Sequence, residues 1–280
     1  MPAPRPMFRR RLSLLRSAPL MLLALAGLAR HDAARAAGSL LLLDDPPEAA
    51  TWQGGLSVRG WPSAPGSARQ REALLPALSY ESPDGLFAAT DTGLGWNLAP
   101  ALLGHDSAKA WQLGARLWPQ SGRSRRESPP GVDRLGSRLI TQLFANAQPV
   151  PELLLQSGLS WGSGRHHNGN QLELGATSGI PVGADLIGIS LAATYADAAH
   201  LRGSFGIGPR ESQASGLPVF RPHAGWQDWS VAVSAEHKFS ADWTVNGQWL
   251  HAHLVDQAAA SPLAHSHDQP SFLISVWHRF

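Results

Sequence analysis

Three groups of residues in this 280-residue chain have the types that chemistry uses. Gly158-Leu159-Ser160-Trp161-Gly162 matches the nucleophile-elbow pattern, with His166 and His167 behind it. Serine chemistry needs the hydroxyl on a sharp strand-to-helix turn, beside oxyanion donors and a histidine that takes its proton. No helical pattern follows this motif, so it reads as the end of a strand, and no catalytic residue is assigned. His251 and His253 would share one face of a strand, while His265, His267 and Asp268 fall in a later loop and His166-His167 in an earlier one. Imidazole suits Zn, Cu or Ni. Two ligands are not a site, however, and the spacing matches no closed zinc motif. Solvated or interfacial histidines are expected, with no metal-ligating or cofactor-binding residue assigned. Arg123, Arg125 and Arg126, followed by Glu127, form a small basic cluster. Their planar donor forks would suit lipopolysaccharide phosphates. The plainer reading is a loop kept polar because it runs over the surface.

The elements that must position these residues show period two throughout. In the last nine residues, Phe272, Ile274, Val276, His278 and Phe280 share one face of an extended strand, and Ser275, Trp277 and Arg279 share the other. A strand that is wet on one side and apolar on the other, ending on an aromatic, fits the closing strand of an outer-membrane barrel. Residues 229–239 alternate in the same way, with Ser230, Ser234, Glu236 and Lys238 on the polar side. A short link at 240–242 leads to 243–249, where Thr244, Asn246 and Gln248 continue that side. Further strands are read at 51–60, 73–81, 86–98, 108–118, 137–147, 152–162, 171–180 and 186–195. Short turns are expected at 82–85, 146–149, 182–185 and 240–242, which carry the Gly, Pro, Asn and Asp that turns require. Long connections are expected at 119–135, 196–227 and 255–270.

These strands number eleven, and a single-chain barrel with both ends on one side needs an even count. The expectation is a transmembrane, antiparallel, up-and-down all-β barrel of about twelve strands. Twelve follows if 86–98 is two strands or if 201–220 hides another; ten follows if 73–91 is an outside hairpin. The tryptophans Trp52, Trp61, Trp96, Trp118, Trp229, Trp243 and Trp277 lie at or near strand ends, where indole rings are expected at headgroup level.

Residues 1–36 read as a cleaved signal peptide: an arginine-rich lead, an apolar run at 18–28 and the small-x-small sequence Ala34-Arg35-Ala36. That leaves 37–280 as the barrel. The leader holds seven of the 23 Lys and Arg and one of the 21 Asp and Glu, so the remainder carries 16 bases and 20 acids, a net charge of −4 with His neutral. The basic character of the whole sequence is thus largely the leader's and gives no reason to expect nucleic acid as a partner. The absence of cysteine excludes thiol catalysis, iron–sulfur clusters and Cys-based zinc sites.

Several segments carry a family resemblance. Phe205-Gly206-Ile207-Gly208-Pro209, then Ala214 to Phe220 and Trp226-Gln227-Asp228, resemble the long-loop signature of the MipA/OmpV family of MltA-interacting outer-membrane proteins. Leu75-Pro76-Ala77-Leu78-Ser79-Tyr80 with Asp84-Gly85, Gly93-Leu94-Gly95-Trp96-Asn97-Leu98 and the ending His278-Arg279-Phe280 are similar to it too. The resemblance spans nearly all of 37–280. It is weakest at 59–71, where Trp61-Pro62-Ser63-Ala64-Pro65-Gly66 replaces the family's acidic, tyrosine-bearing loop. It implies a non-enzymatic protein of the Gram-negative outer membrane, in contact with lipid and lipopolysaccharide. In murein turnover such a protein would bridge a periplasmic lytic transglycosylase and a penicillin-binding synthase. Family members are also linked to adhesion and stress adaptation. A small-solute channel is the other class open, because the polar faces named above would suit a water-lined lumen.

Overall fold

The computed structural model describes residues 43, 45–120, 122–163, 169–183 and 185–280. The signal segment 1–36 and the His166-His167 pair lie outside them. Twelve antiparallel strands run in simple up-and-down order: β1 (Thr51–Pro62), β2 (Gln70–Glu81), β3 (Leu86–Ala89), β4 (Gly93–Asn97), β5 (Trp111–Gln120), β6 (Arg138–Val150), β7 (Leu153–Ser163), β8 (Asn170–Val182), β9 (Asp185–Ala196), β10 (Gly225–Lys238), β11 (Trp243–Leu254) and β12 (Asp268–Arg279). β1 pairs with β12 from Gln53↔Arg279 to Gly60↔Phe272, and the sheet closes on itself. Closure removes most of the exposed edge that an open sheet would offer to other chains.

The twelfth strand comes from dividing 86–98. Thr90, Asp91 and Thr92 turn the chain between β3 and β4, and Gly93 follows at φ 86°, a conformation that side-chain-bearing residues avoid. Residues 201–220 hold no long strand but two helices, α3 (Ala198–Phe205) and α4 (Pro209–Ser215). The Asp197 carboxylate accepts from the His200 N–H at 2.8 Å and caps α3. Pro209 opens α4, the Glu211 carboxylate accepts from the Gly208 N–H, and Gly216 ends it at φ 75°. Two further corrections concern strand ends. The expected turn at 146–149 lies within β6, which runs on to Val150 and turns at 151–152. The segment expected as a strand from 108 begins at Trp111, after two short helices, α1 (Ala99–Leu103) and α2 (His105–Ala108).

The two faces of the wall separate by parity. Leu56, Leu74, Leu159, Leu174, Ile189, Leu191 and Ile274 are exposed on the outside, whereas Ser57, Gln142, Thr194, Ser230 and Ser275 are buried inside. A protein in water has no use for such an outward band, and the alternation is that of a membrane-spanning barrel. Trp52, Trp96 and Trp243 at one rim and Trp229 near the other lie on the outside as expected. Trp61, Trp118 and Trp277 do not: at 4%, 8% and 9% exposure they point into the barrel. Trp277 has the parity of Ser275, and parity fixes the face of a strand residue regardless of how near it is to an end.

Both chain ends of the barrel, together with the turns 82–85, 151–152 and 239–242 and the link from β8 to β9, lie at one rim, taken as the periplasmic one. The opposite, outer rim carries the long connections. Two apolar clusters join these into a cap: Ala196, Leu201, Phe205, Leu254 and Ala258, and Val132, Ile207 and Leu263 with Leu217 and Phe220. Polar ties reinforce it, including Ser261 Oγ to the Phe205 carbonyl at 2.6 Å and the Asp133 N–H to Glu211 Oε1 at 3.0 Å.

Candidate functional site

Inside the barrel, the polar residues that the alternation sends inward bond to one another. Arg116 Nε donates to Gln142 Oε1 at 2.7 Å, and Gln142 Nε2 donates to Glu173 Oε2 at 2.8 Å. This chain reaches from β5 across β6 and β7 to β8. It can do so because position 158 on β7 is glycine: an added Cβ would stand 2.3 Å from Gln142 Nε2. Arg116 also donates to the Thr92 carbonyl and lies 4.1 Å from the centre of the Trp118 ring. Farther round, Thr194 and Gln227 both donate to Asp228. At the inner end Gln112 donates to the carbonyl of Leu43, whose side chain packs on Phe87 and Phe144. Leu43, ahead of β1, thus sits in the barrel mouth. Arg116, Gln142, Gln156, Thr194, Asp228 and Ser275 are each at most 4% exposed. Around these residues the interior is a packed polar core, whereas Glu173, Thr177, Thr244, Asn246 and Gln248, also inward, are half-buried.

Ser160 of the nucleophile-elbow pattern belongs to this core. It is buried at an inward position of β7, whose backbone continues flat through Trp161 and Gly162. The strand supplies no elbow.

The three arginines of the 119–135 connection separate. Arg123 turns into its own loop, donating to Ser128 Oγ at 3.2 Å, and burial lowers its pKa, offset in part by Glu211 and Glu127. Arg125 and Arg126 remain exposed and line a cavity of about 1300 Å³ with Arg69, Arg134 and His265. Sequence reading missed Arg69 and Arg134 because one comes from the β1–β2 loop and neither adjoins the cluster. Glu127 pairs with Arg71 of β2. Burial pushes the Glu127 carboxyl up, but hydrogen bonds from Arg71 and Ser124 outweigh it and hold the group below its ordinary value.

The histidines of 251–268 do converge. His253 lies opposite Asp268 in the β11–β12 register, with Nδ1 2.8 Å from Asp268 Oδ1. His251, two residues earlier on the same outward face, places Nε2 3.1 Å from that oxygen. The sequence showed the i, i+2 pair but not its partner, because Asp268 opens β12 rather than sitting in the loop.

At the periplasmic rim, most connections are tight turns. The exception is 98–110, where α1 and α2 present Leu102 at 64% and Leu103 at 46% exposure. Pro100 starts α1 and Gly104, at φ 83°, breaks it from α2. The leucines are therefore held on a defined surface.

The family model described as "MltA-interacting protein MipA" matches residues 54–280. The chain belongs to this family. No curated protein matches it. Among solved structures it is similar to an outer membrane channel from Pseudomonas putida F1, at 12% identity and a TM-score of 0.40, covering 88% of this chain and 99% of the other. It is also similar to an anion-selective porin from Comamonas acidovorans, at 11% identity and a TM-score of 0.36, covering 82% and 98%. In this MipA-family chain the resembling segments sit in two places. Phe205, Ile207 and Phe220 build the outer cap, where Ile207 and Phe220 form an isolated β-bridge. Gln227 and Asp228 belong to the buried interior network.

Proposed function

We propose that this MipA-family barrel works as an outer-membrane scaffold for enzymes of murein turnover, its working surface being the periplasmic rim. The observation that carries the reading is the Leu102–Leu103 pair, raised on α1 where the other described connections of that rim are bare turns. Contiguous exposed leucines on an ordered element suit a protein partner. The family description directs the choice of partner to a periplasmic lytic transglycosylase, with a penicillin-binding synthase as the second member of the assembly. Residues 1–36 serve as the cleaved export signal and 37–280 as the working protein, bathed in outer-membrane lipid and lipopolysaccharide. No catalytic role is assigned to any residue.

The test is binding of a purified lytic transglycosylase to the barrel held in nanodiscs, read by surface plasmon resonance. Saturable binding that falls at least about tenfold in Leu102→Asp/Leu103→Asp supports the scaffold. Unchanged binding in that variant removes the proposed surface, and no binding by either protein removes the role. A second reading, a small-solute channel, draws on the inward polar residues Ser230, Thr244 and Gln248, but the buried side-chain network opposes it.

A further inference from the structure

We propose that His251, His253 and Asp268 form a binding site for a divalent transition-metal ion, Zn²⁺ or Cu²⁺ by chemical class, on the outward face of the barrel close to its outer rim. The three residues offer one ligand atom each, all within 4.8 Å of one another. In a tetrahedral site with metal–ligand bonds of about 2.0–2.1 Å, neighbouring ligand atoms stand about 3.3 Å apart. The two histidine nitrogens lie 3.1 and 2.8 Å from Asp268 Oδ1 and within 4.8 Å of each other, so modest side-chain rotations bring the three atoms to that spacing. Two imidazoles and one carboxylate are borderline-to-hard donors and suit Zn²⁺, with Cu²⁺ binding more tightly.

The site is built on rigid elements. The ladder fixes His253 opposite Asp268 and His251 opposite Pro270, which carries no long side chain to intrude. Trp249 stacks on His251 with ring centres 5.8 Å apart and an interplanar angle of 23°. The Trp229 ring lies 5.5 Å from His253 and 6.4 Å from His251. Held rings lose little freedom when an ion binds. His267 stands edge-on to His253 at 6.2 Å and supplies a fourth ligand, the third imidazole, after a change of rotamer. In the metal-free state each histidine can donate an N–H to the shared carboxylate oxygen. Binding requires both of those nitrogens to present lone pairs instead, with the proton moved to the other ring nitrogen or released.

The experiment is isothermal titration of the detergent-folded barrel with ZnCl₂, repeated with CoCl₂ under visible absorption spectroscopy. The expected result is one ion per chain, with a tetrahedral Co²⁺ band. Asp268→Asn and His253→Ala should each weaken Zn²⁺ at least tenfold. His223→Ala, remote from the cluster in sequence and absent from its contacts, should bind as the parent does. His267→Ala, an exposed loop change that spares both strands, should weaken binding by a smaller factor and remains readable if a strand variant fails to fold. Absence of stoichiometric binding, or binding unaltered in Asp268→Asn and His253→Ala, overturns the assignment.

Discussion

The barrel wall differs markedly between its two arcs. From β6 round through β12 to β1, long strands pair along nearly their whole length. Between β2 and β5 stand only the four residues of β3 and the five of β4. β2 meets β3 only at Ser79 to Glu81, so its outer stretch has no ladder on that side among the described residues. Leu78 shows which way the edge faces, because its N–H and carbonyl both bond to Thr90 of the β3–β4 turn. By alternation the backbone groups of Leu74 and Pro76 face the same open side. Pro76 has no N–H to lose there, which is where a strand tolerates proline. Side chains do the joining that backbone does elsewhere: Arg71 with Glu127, Arg69 with the Arg126 carbonyl, and Arg116 with the Thr92 carbonyl. A complete ladder is indifferent to most single side chains, whereas a broken one depends on a few of them.

The largest effect expected from this contrast is at Arg116. Arg116→Met removes the buried guanidinium, its hydrogen bonds to Gln142 and the Thr92 carbonyl and its attraction to Glu173, and should cost about 3–5 kcal/mol in urea unfolding from detergent or vesicles. Arg116→Met/Glu173→Met should recover part of that loss, and a double variant no more stable than the single would show that the two do not interact. Next come paired proline substitutions. Leu191→Pro, on β9 with neighbours on both sides, should cost about 3 kcal/mol or more. Leu74→Pro, facing the open edge, should cost under about 1 kcal/mol. Equal losses in the two would mean that the gap is paired after all.

A smaller effect concerns pH. Because the folded pKa of Glu127 lies below its unfolded value, its contribution to holding the outer loop is complete above the unfolded value, about 4.5. It fades as pH falls through the folded value. The protection of amides in residues 122–137, measured against the intrinsic exchange rate at each pH, should therefore fall below about pH 4. Glu127→Gln should show the lowered protection already at pH 7, and a variant that keeps full protection there would take the loop's hold away from this ion pair.

Period two made the long arc legible in the sequence, since along β6 to β12 a more sheltered face alternates with an exposed one. The short arc was hidden because 86–98 alternates on both sides of its turn, and only Gly93 marks the break. The helices of the cap were readable from Asp197 as a cap and from Pro209 with Glu211, but 196–227 was read as a long connection, with a hidden strand as one alternative. Proximity to a strand end misplaced Trp61, Trp118 and Trp277, where parity alone gives the face. The 251–253 pair was visible as spacing; Asp268 needed the β11–β12 register, which no local pattern encodes.

The central claim is that this barrel's interior is packed and its outward business is done at the rim. Single-channel recording of the purified protein in planar bilayers tests it most directly. A silent membrane from the wild type, with discrete openings appearing in Arg116→Ala/Gln142→Ala, is the predicted result, and steady, well-defined conductance from the wild type would contradict it.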